Sequence, residues 1–192
     1  MIFTQLRPAI VSFILLTVLT GVLYPLLVTG IAQGVFHKQA EGSLIVRNDG
    51  KIAGSSLIGQ NFDDPKYFWG RISATSPAYN ASASSGSNLG PSNPALLDEV
   101  KARITALKAA DPNNTNPIPV DLVTSSGSGL DPHISLAAAQ FQLDRVARIR
   151  GLSTDAVKRI IDQNTQGRFF GILGEPVVNV LNANLSLDAF KK

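Results

Sequence analysis

Hydrophobicity in this chain is concentrated at its start. From Pro8 to Phe36 no Lys, Arg, His, Asp or Glu interrupts the apolar run, and no polar stripe recurs at helical period. As a helix the run is about 40 Å long at about 1.5 Å per residue. A hydrocarbon core about 30 Å thick needs about 20 apolar residues to span it. The pattern predicts a short N-terminal segment 1–7, an uncleaved transmembrane helix 8–36 and one extramembrane domain 37–192. The competing expectation is a signal peptide cleaved near Gly30-Ile31-Ala32. Such peptides carry an apolar core of only about 7–15 residues, so the anchor is favoured. Within the run Thr17 and Gly21 are four apart, as are Gly30 and Gly34. Small residues at that spacing form a face on which another helix can pack closely. Pro25 predicts a kink or a local adjustment of the helix.

Past His37 the pattern becomes polar and is broken by Gly, Pro and Ser. Leu44-Ile45-Val46 and Ile52-Ala53-Gly54 flank Arg47-Asn48-Asp49-Gly50, which reads as a hairpin with an Asp-Gly turn. Tyr67-Phe68-Trp69 is the densest aromatic cluster and reads as core. Ser73–Pro94 is loop-like, dominated by small and turn-forming residues. Asn93-Pro94 opens a helix whose Leu96, Leu97, Val100, Ile104 and Leu107 recur at helical spacing, and Asp111-Pro112 closes it. Pro119–Thr124 is expected as a short strand with Val120 and Leu122 on one side. Ser135 and Ser153 are expected to cap two further helices, the first ending at Gly151 and the second near Asn164. Val177–Leu181 is a β-branched run and predicts a buried strand. The fold class is therefore α+β: one N-terminal membrane helix, then one mixed α/β domain.

Composition narrows the function. The net charge of +3 is small and the bases are scattered, which argues against nucleic acid as a partner. The absence of cysteine permits an oxidising compartment without requiring one. Arg7 stands before the run and Lys38 and Arg47 after it, so charge does not choose an orientation. The chain has no phosphate-binding Gly-x-x-x-x-Gly-Lys loop and no Gly-x-Ser-x-Gly elbow. Ser128, Asp131 and His133 are neighbours in sequence, but a triad requires convergence in space. Asp131 is expected to accept backbone amides in its own loop rather than to act as a base or a metal ligand. The Asn80-Ala81-Ser82 sequon carries meaning only in a glycosylating host.

The ordered motifs resemble the C subunit of the Kdp-type potassium-transporting P-type ATPase of bacteria. The match runs through Leu19-Thr20-Gly21 and Tyr24-Pro25-Leu26, then Leu57-Ile58-Gly59-Gln60-Asn61-Phe62 and Gly70-Arg71. It continues with Gly86-Ser87-Asn88-Leu89, Ser128-Gly129-Leu130-Asp131 and Gly174-Glu175-Pro176-Val177-Val178-Asn179-Val180. Ile72 stands where the family usually has Pro, and Ser85 where it often has Gly. The resemblance implies an accessory subunit of an ATP-driven potassium-uptake complex, not an enzyme by itself. Its implied partners are a channel-like subunit that handles potassium, a P-type ATPase subunit and membrane lipid. The implied location is the bacterial inner membrane, with the soluble domain on the periplasmic side. The family is described as a catalytic chaperone that raises ATP affinity of the pump subunit, which implies ATP as a ligand. Cytoplasmic ATP and a periplasmic domain conflict. Leu152-Ser153-Thr154-Asp155-Ala156 only faintly resembles a nucleotide-binding signature, and Ser153 is expected to be a helix cap. No catalytic or metal residue is expected. Two alternatives follow: a cap shaping the potassium entrance without touching nucleotide, or a nucleotide-binding cochaperone. The candidate partner contacts are Thr17 and Gly21 in the span, and Asn88 and Asp131 in two small-residue loops, Ser84–Asn93 and Thr124–Asp131.

Overall fold

The computed structural model describes residues 2–47 and 49–190. Two compact units follow one another along the chain, the first ending at Leu44 and the second starting at Ile45.

The first unit is mostly one apolar helix. Helix α1 (Ile2–Val18) continues through a π turn (Leu19–Leu23) into α2 (Tyr24–Val35). Residues Thr4–Val35 are long and apolar enough to cross a membrane, and none of this stretch is buried inside the protein. The π turn answers the expected kink. Proline lacks an amide hydrogen and its ring crowds the carbonyl four residues back. Here the Tyr24 amide bonds to the Leu19 carbonyl, five residues back, just before Pro25. The extra residue in the turn accommodates the proline without breaking the helix. A short helix α3 (His37–Ala40) ends the unit.

Strand β1 (Leu44–Val46) begins on the last residue of the first unit, and with β2 (Ile52–Ser55) it forms the expected two-stranded sheet; the elements that follow belong to the second unit. Its turn closes with the Gly50 amide on the Arg47 carbonyl at 2.9 Å, Gly50 at φ +79°. Asn48 of that turn lies outside the described residues. Helix α4 (Pro94–Ala110) starts where Asn93 caps the Ala95 amide at 3.0 Å. Strand β3 (His133–Ser135) leads directly into α5 (Leu136–Arg150), and Ser135 caps the Ala138 amide at 3.0 Å. Gly151 ends α5 in the left-handed conformation, and α6 (Thr154–Gln163) follows its Ser153 cap. Strands β4 (Thr165–Gln166) and β5 (Val177–Asn179) precede α7 (Val180–Ala189). The sheet order is β3-β5-β4, antiparallel throughout, with Ile134 opposite Val178 and Thr165 also opposite Val178. The core gathers Phe68, Trp69, Leu107, Leu122, Ile134, Val146, Val157, Ile161, Val178 and Leu187 between the helices and this sheet.

Three expectations are corrected. Residues 120–124 do not form a strand: Val120–Leu122 is a single 3₁₀ turn. Val120 is 71% exposed and Leu122 fully buried, so they do not share a side. A tight turn rotates successive side chains by a third of a circle, and alternation is lost. The strand expected through Leu181 stops at Asn179, whose side chain caps the Asn182 amide at 3.0 Å and starts α7. Leu97, grouped by helical spacing with Leu96, Val100, Ile104 and Leu107, is exposed where Leu107 is buried.

The aromatic cluster is core, as expected, but the way it is held is new. Residues 65–70 belong to no strand, and buried amides replace the ladder. Asn184 takes the Phe68 amide at 2.9 Å and donates to the Phe68 carbonyl at 3.0 Å. Gln142 does the same for Trp69, at 2.8 and 3.1 Å. Arg145, 2% exposed, donates to the carbonyls of Pro65 and Tyr67 and to Gln142 Oε1.

Candidate functional site

The long loop 73–93 and the loop 124–131 are polar, glycine-containing and far apart in sequence. Neither can bury enough apolar surface to order itself. The fold orders them against each other. The Ser85 amide and the Ser84 hydroxyl both donate to the Ser128 carbonyl at 3.0 Å. The hydroxyls of Ser87 and Ser125 meet at 3.1 Å. Ile72 bridges Ser125 in parallel, and the Ser126 amide reaches the Ile72 carbonyl at 3.2 Å. Two glycines make the approach feasible. A Cβ on Gly129, at φ +69°, would stand 2.6 Å from the Ser85 carbonyl oxygen, and one on Gly86 would stand 2.9 Å from that of Gly127.

A second layer of polar groups sits under this pair. Ser73 donates to the Gly129 carbonyl at 2.6 Å and accepts the Tyr79 amide at 2.8 Å. Tyr79 donates its hydroxyl to the Arg71 carbonyl at 2.6 Å. Burial pushes this phenol up to about 12, so it stays a donor at any physiological pH. Arg103, from α4, reaches the Gly70 carbonyl at 2.7 Å and the Leu122 carbonyl at 3.0 Å. Arg71 ties together the two ends of the loop 124–131, donating to the Ser125 carbonyl at 3.0 Å and to Asp131 Oδ2 at 3.3 Å. Asn61, Tyr79, Glu99 and Arg103 border a cleft of about 340 Å³ beside Arg71.

Asp131 is the node of the arrangement. Its Oδ1 accepts the His133 amide at 3.0 Å, the loop role its sequence context predicted, and lies 3.6 Å from His133 Nδ1. Partial burial acts to raise its pKa. The hydrogen bonds from His133 and the Arg71 charge outweigh burial, and the carboxyl is held below its ordinary value of 3.8. A carboxylate with a depressed folded-state pKa stabilises the fold above its unfolded pKa, and that stability is lost as pH falls through the folded value. The stability difference between the wild type and Asp131→Asn should therefore be constant above about pH 5 and shrink as pH drops below about 4. Unfolding midpoints measured from pH 6 to pH 2.5 check this, and a difference that does not change with pH sinks it.

Ser128 serves as a turn staple, its hydroxyl accepting the Leu130 amide at 3.1 Å. Ser153 accepts the Ala156 amide at 3.2 Å as the cap of α6. Among the described residues no group of three or more His, Asp or Glu could hold a metal ion. The loops carrying Asn88 and Asp131 are thus brought together, with the exposed Asn88 next to Ser87 at φ +53°. Thr17 and Gly21 belong to the first unit. Thr17 precedes the π turn and Gly21 lies inside it, so the regular helical phase assumed for the pair does not run from one to the other. Arg103 and Tyr79 were not singled out from the sequence. The available signal was an arginine on the apolar face of α4, between Val100 and Leu107.

A family model described as the c chain of the K⁺-transporting ATPase, KdpC, matches residues 6–189. The chain belongs to the KdpC family. It is 64% identical over 190 residues to the potassium-transporting ATPase KdpC subunit of Dechloromonas aromatica, covering 98% of this chain and 99% of that protein. The KdpC subunit of Polaromonas naphthalenivorans is 65% identical over 187 residues, covering 97% and 95% of the two chains. That of Paraburkholderia xenovorans is 62% identical over 187 residues, 97% of each chain. A bilayer-length helix in a KdpC protein fits a membrane subunit.

Proposed function

We propose that this chain is a non-catalytic subunit of a potassium-transporting ATPase complex, anchored by one membrane helix. Its paired loops 84–88 and 125–131 dock on the channel-like subunit and cap the potassium entrance from the periplasmic side. One observation carries this assignment: two small-residue loops are cross-tied, by the Ser85 amide and Ser84 hydroxyl on the Ser128 carbonyl, into one ordered surface. Loops held rigid before binding lose little entropy on docking, and open backbone lets a partner approach closely. The chaperone effect on ATP affinity is then transmitted through the assembled complex. Ser153, the residue of the faint nucleotide signature, is already engaged as a helix cap.

The test uses Asn88→Gly, because glycine keeps the positive φ and removes only the side chain. Copurification of the complex should fall severalfold with the melting temperature of the chain unchanged. Normal assembly removes Asn88 from the contact. Protease added outside spheroplasts should cut the second unit, and full protection there would favour the nucleotide-binding alternative.

The span gives a separate expectation. A Cβ on Gly21 would meet nothing within 4 Å in the chain itself. Gly21→Leu should therefore leave this protein folded but block a neighbouring helix, lowering copurification with the channel-like subunit. Unchanged yield in mild detergent would remove Gly21 from the packing face.

A further inference from the structure

The segment between β4 and β5 reads Arg168-Phe169-Phe170-Gly171-Ile172-Leu173-Gly174-Glu175. Its exposure is opposite to its chemistry. Phe170 is 81% exposed and Ile172 74%, and Phe169 and Leu173 are also exposed. So many large apolar side chains in one short turn mark an interaction site rather than ordinary surface scatter.

The turn is ordered from within. The Phe169 amide bonds to the Leu173 carbonyl at 2.8 Å and the Leu173 amide to the Phe169 carbonyl at 3.0 Å. The Gly171 amide reaches the Arg168 carbonyl at 3.0 Å, and the Ile172 amide the Phe169 carbonyl at 3.2 Å. Phe170 sits at φ +52°, an uncommon conformation for a bulky residue, and its ring lies 4.2 Å from that of Phe169. The flanking charges neutralise each other, with Arg168 Nη2 at 2.9 and 2.8 Å from the two oxygens of Glu175.

A bilayer imposes two conditions on anything that enters it. Backbone donors must be bonded internally, and charge must stay out of the hydrocarbon. The tip meets both. Four of its five amides are bonded within the turn, and its only charges are paired at the base. The same chain also carries the bilayer-length helix Thr4–Val35. A tether makes a second membrane contact intramolecular, so weak insertion suffices. We propose that the Phe169–Leu173 tip inserts into the headgroup–acyl boundary of a phospholipid bilayer, as a second membrane contact besides the helix. Because the basal charges are paired, insertion needs neither anionic lipid nor low salt.

The chain has no cysteine, so a single labelling site can be introduced cleanly. Full-length Phe170→Cys, labelled with bimane, is reconstituted into phosphatidylcholine vesicles containing lipids with a shallow acyl-chain nitroxide. Both leaflets carry quencher, so the orientation of the chain does not matter. Quenching at least twice that of the same label at Lys158→Cys, on the exposed side of α6, is expected, unchanged in 0.5 M salt. Adding Ile172→Ser and Leu173→Ser should halve the quenching at residue 170, with emission from the buried Trp69 confirming that the domain stays folded. Quenching equal to the Lys158 control overturns the proposal. Quenching that survives the double substitution assigns insertion to the label and also overturns it. Shielding of the label only after the other subunits of the complex are co-reconstituted overturns it in favour of a protein seat.

Discussion

Arg145→Met should destabilise the second unit by about 2–4 kcal/mol, the cost of leaving two backbone carbonyls without their donor. Arg145 is 2% exposed and lies on α5. Burial pushes its pKa down to about 10, so it is still charged at neutral pH. Its guanidinium serves the carbonyls of Pro65 and Tyr67 and Gln142 Oε1, and its centre lies 5.0 Å from the centroid of the Trp69 ring. Methionine fills much of the volume but takes the donor from the Pro65 and Tyr67 carbonyls, while Gln142 Oε1 keeps the Trp69 amide. An unsatisfied buried acceptor costs about 1–3 kcal/mol. Arg145→Lys should recover part of the loss, because an ammonium retains charge and donors but not the planar fork. Trp69 is the single tryptophan of the chain, so its fluorescence reports urea unfolding of this unit in detergent without a label. A loss below about 1 kcal/mol would show that the network tolerates removal of its cation.

Gly129→Val should separate the paired loops and abolish assembly of the complex. At φ +69° any L side chain is strained, and a Cβ there would stand 2.6 Å from the Ser85 carbonyl oxygen and 2.7 Å from Thr75 Cγ2. Left-handed strain and forced overpacking together cost at least about 2 kcal/mol. The backbone of one loop must then move away from the other. Gly127→Ala is the matched control, since a Cβ at Gly127 meets nothing within 4 Å. Copurification with the partner subunits should be lost for Gly129→Val and kept for Gly127→Ala. Equal yields would mean that the loop pair is not a docking surface.

The sequence by itself determined what depends on neighbours along the chain. The membrane helix needs only an uninterrupted apolar run, because in lipid the driving force acts on the segment and its backbone bonds are internal. Helix starts at Asn93, Ser135 and Ser153 were legible for a similar reason: each cap bonds an amide two or three residues on. The ordered motifs also carried the resemblance to the KdpC family, which the family model bears out.

Tertiary structure decided wherever the bonding partner came from far away. Val120–Leu122 has the apolar spacing of a strand, yet Asp121 takes the amide and hydroxyl of Ser135, and the segment turns instead. Asn179 sits in a β-branched run, but its side chain ends the strand by capping α7 and also donates to the Ser56 carbonyl. The loops holding Asn88 and Asp131 were visible as small-residue stretches. Their meeting was not, because it rests on carbonyls and glycines some forty residues apart, whose side chains say nothing of where the backbone goes. Gln142, Arg145 and Asn184 carried the weakest signal, since polar residues in helices usually face water. They are buried because residues 65–70 belong to no strand, and side chains from α5 and α7 reach the amides and carbonyls that a ladder would otherwise pair.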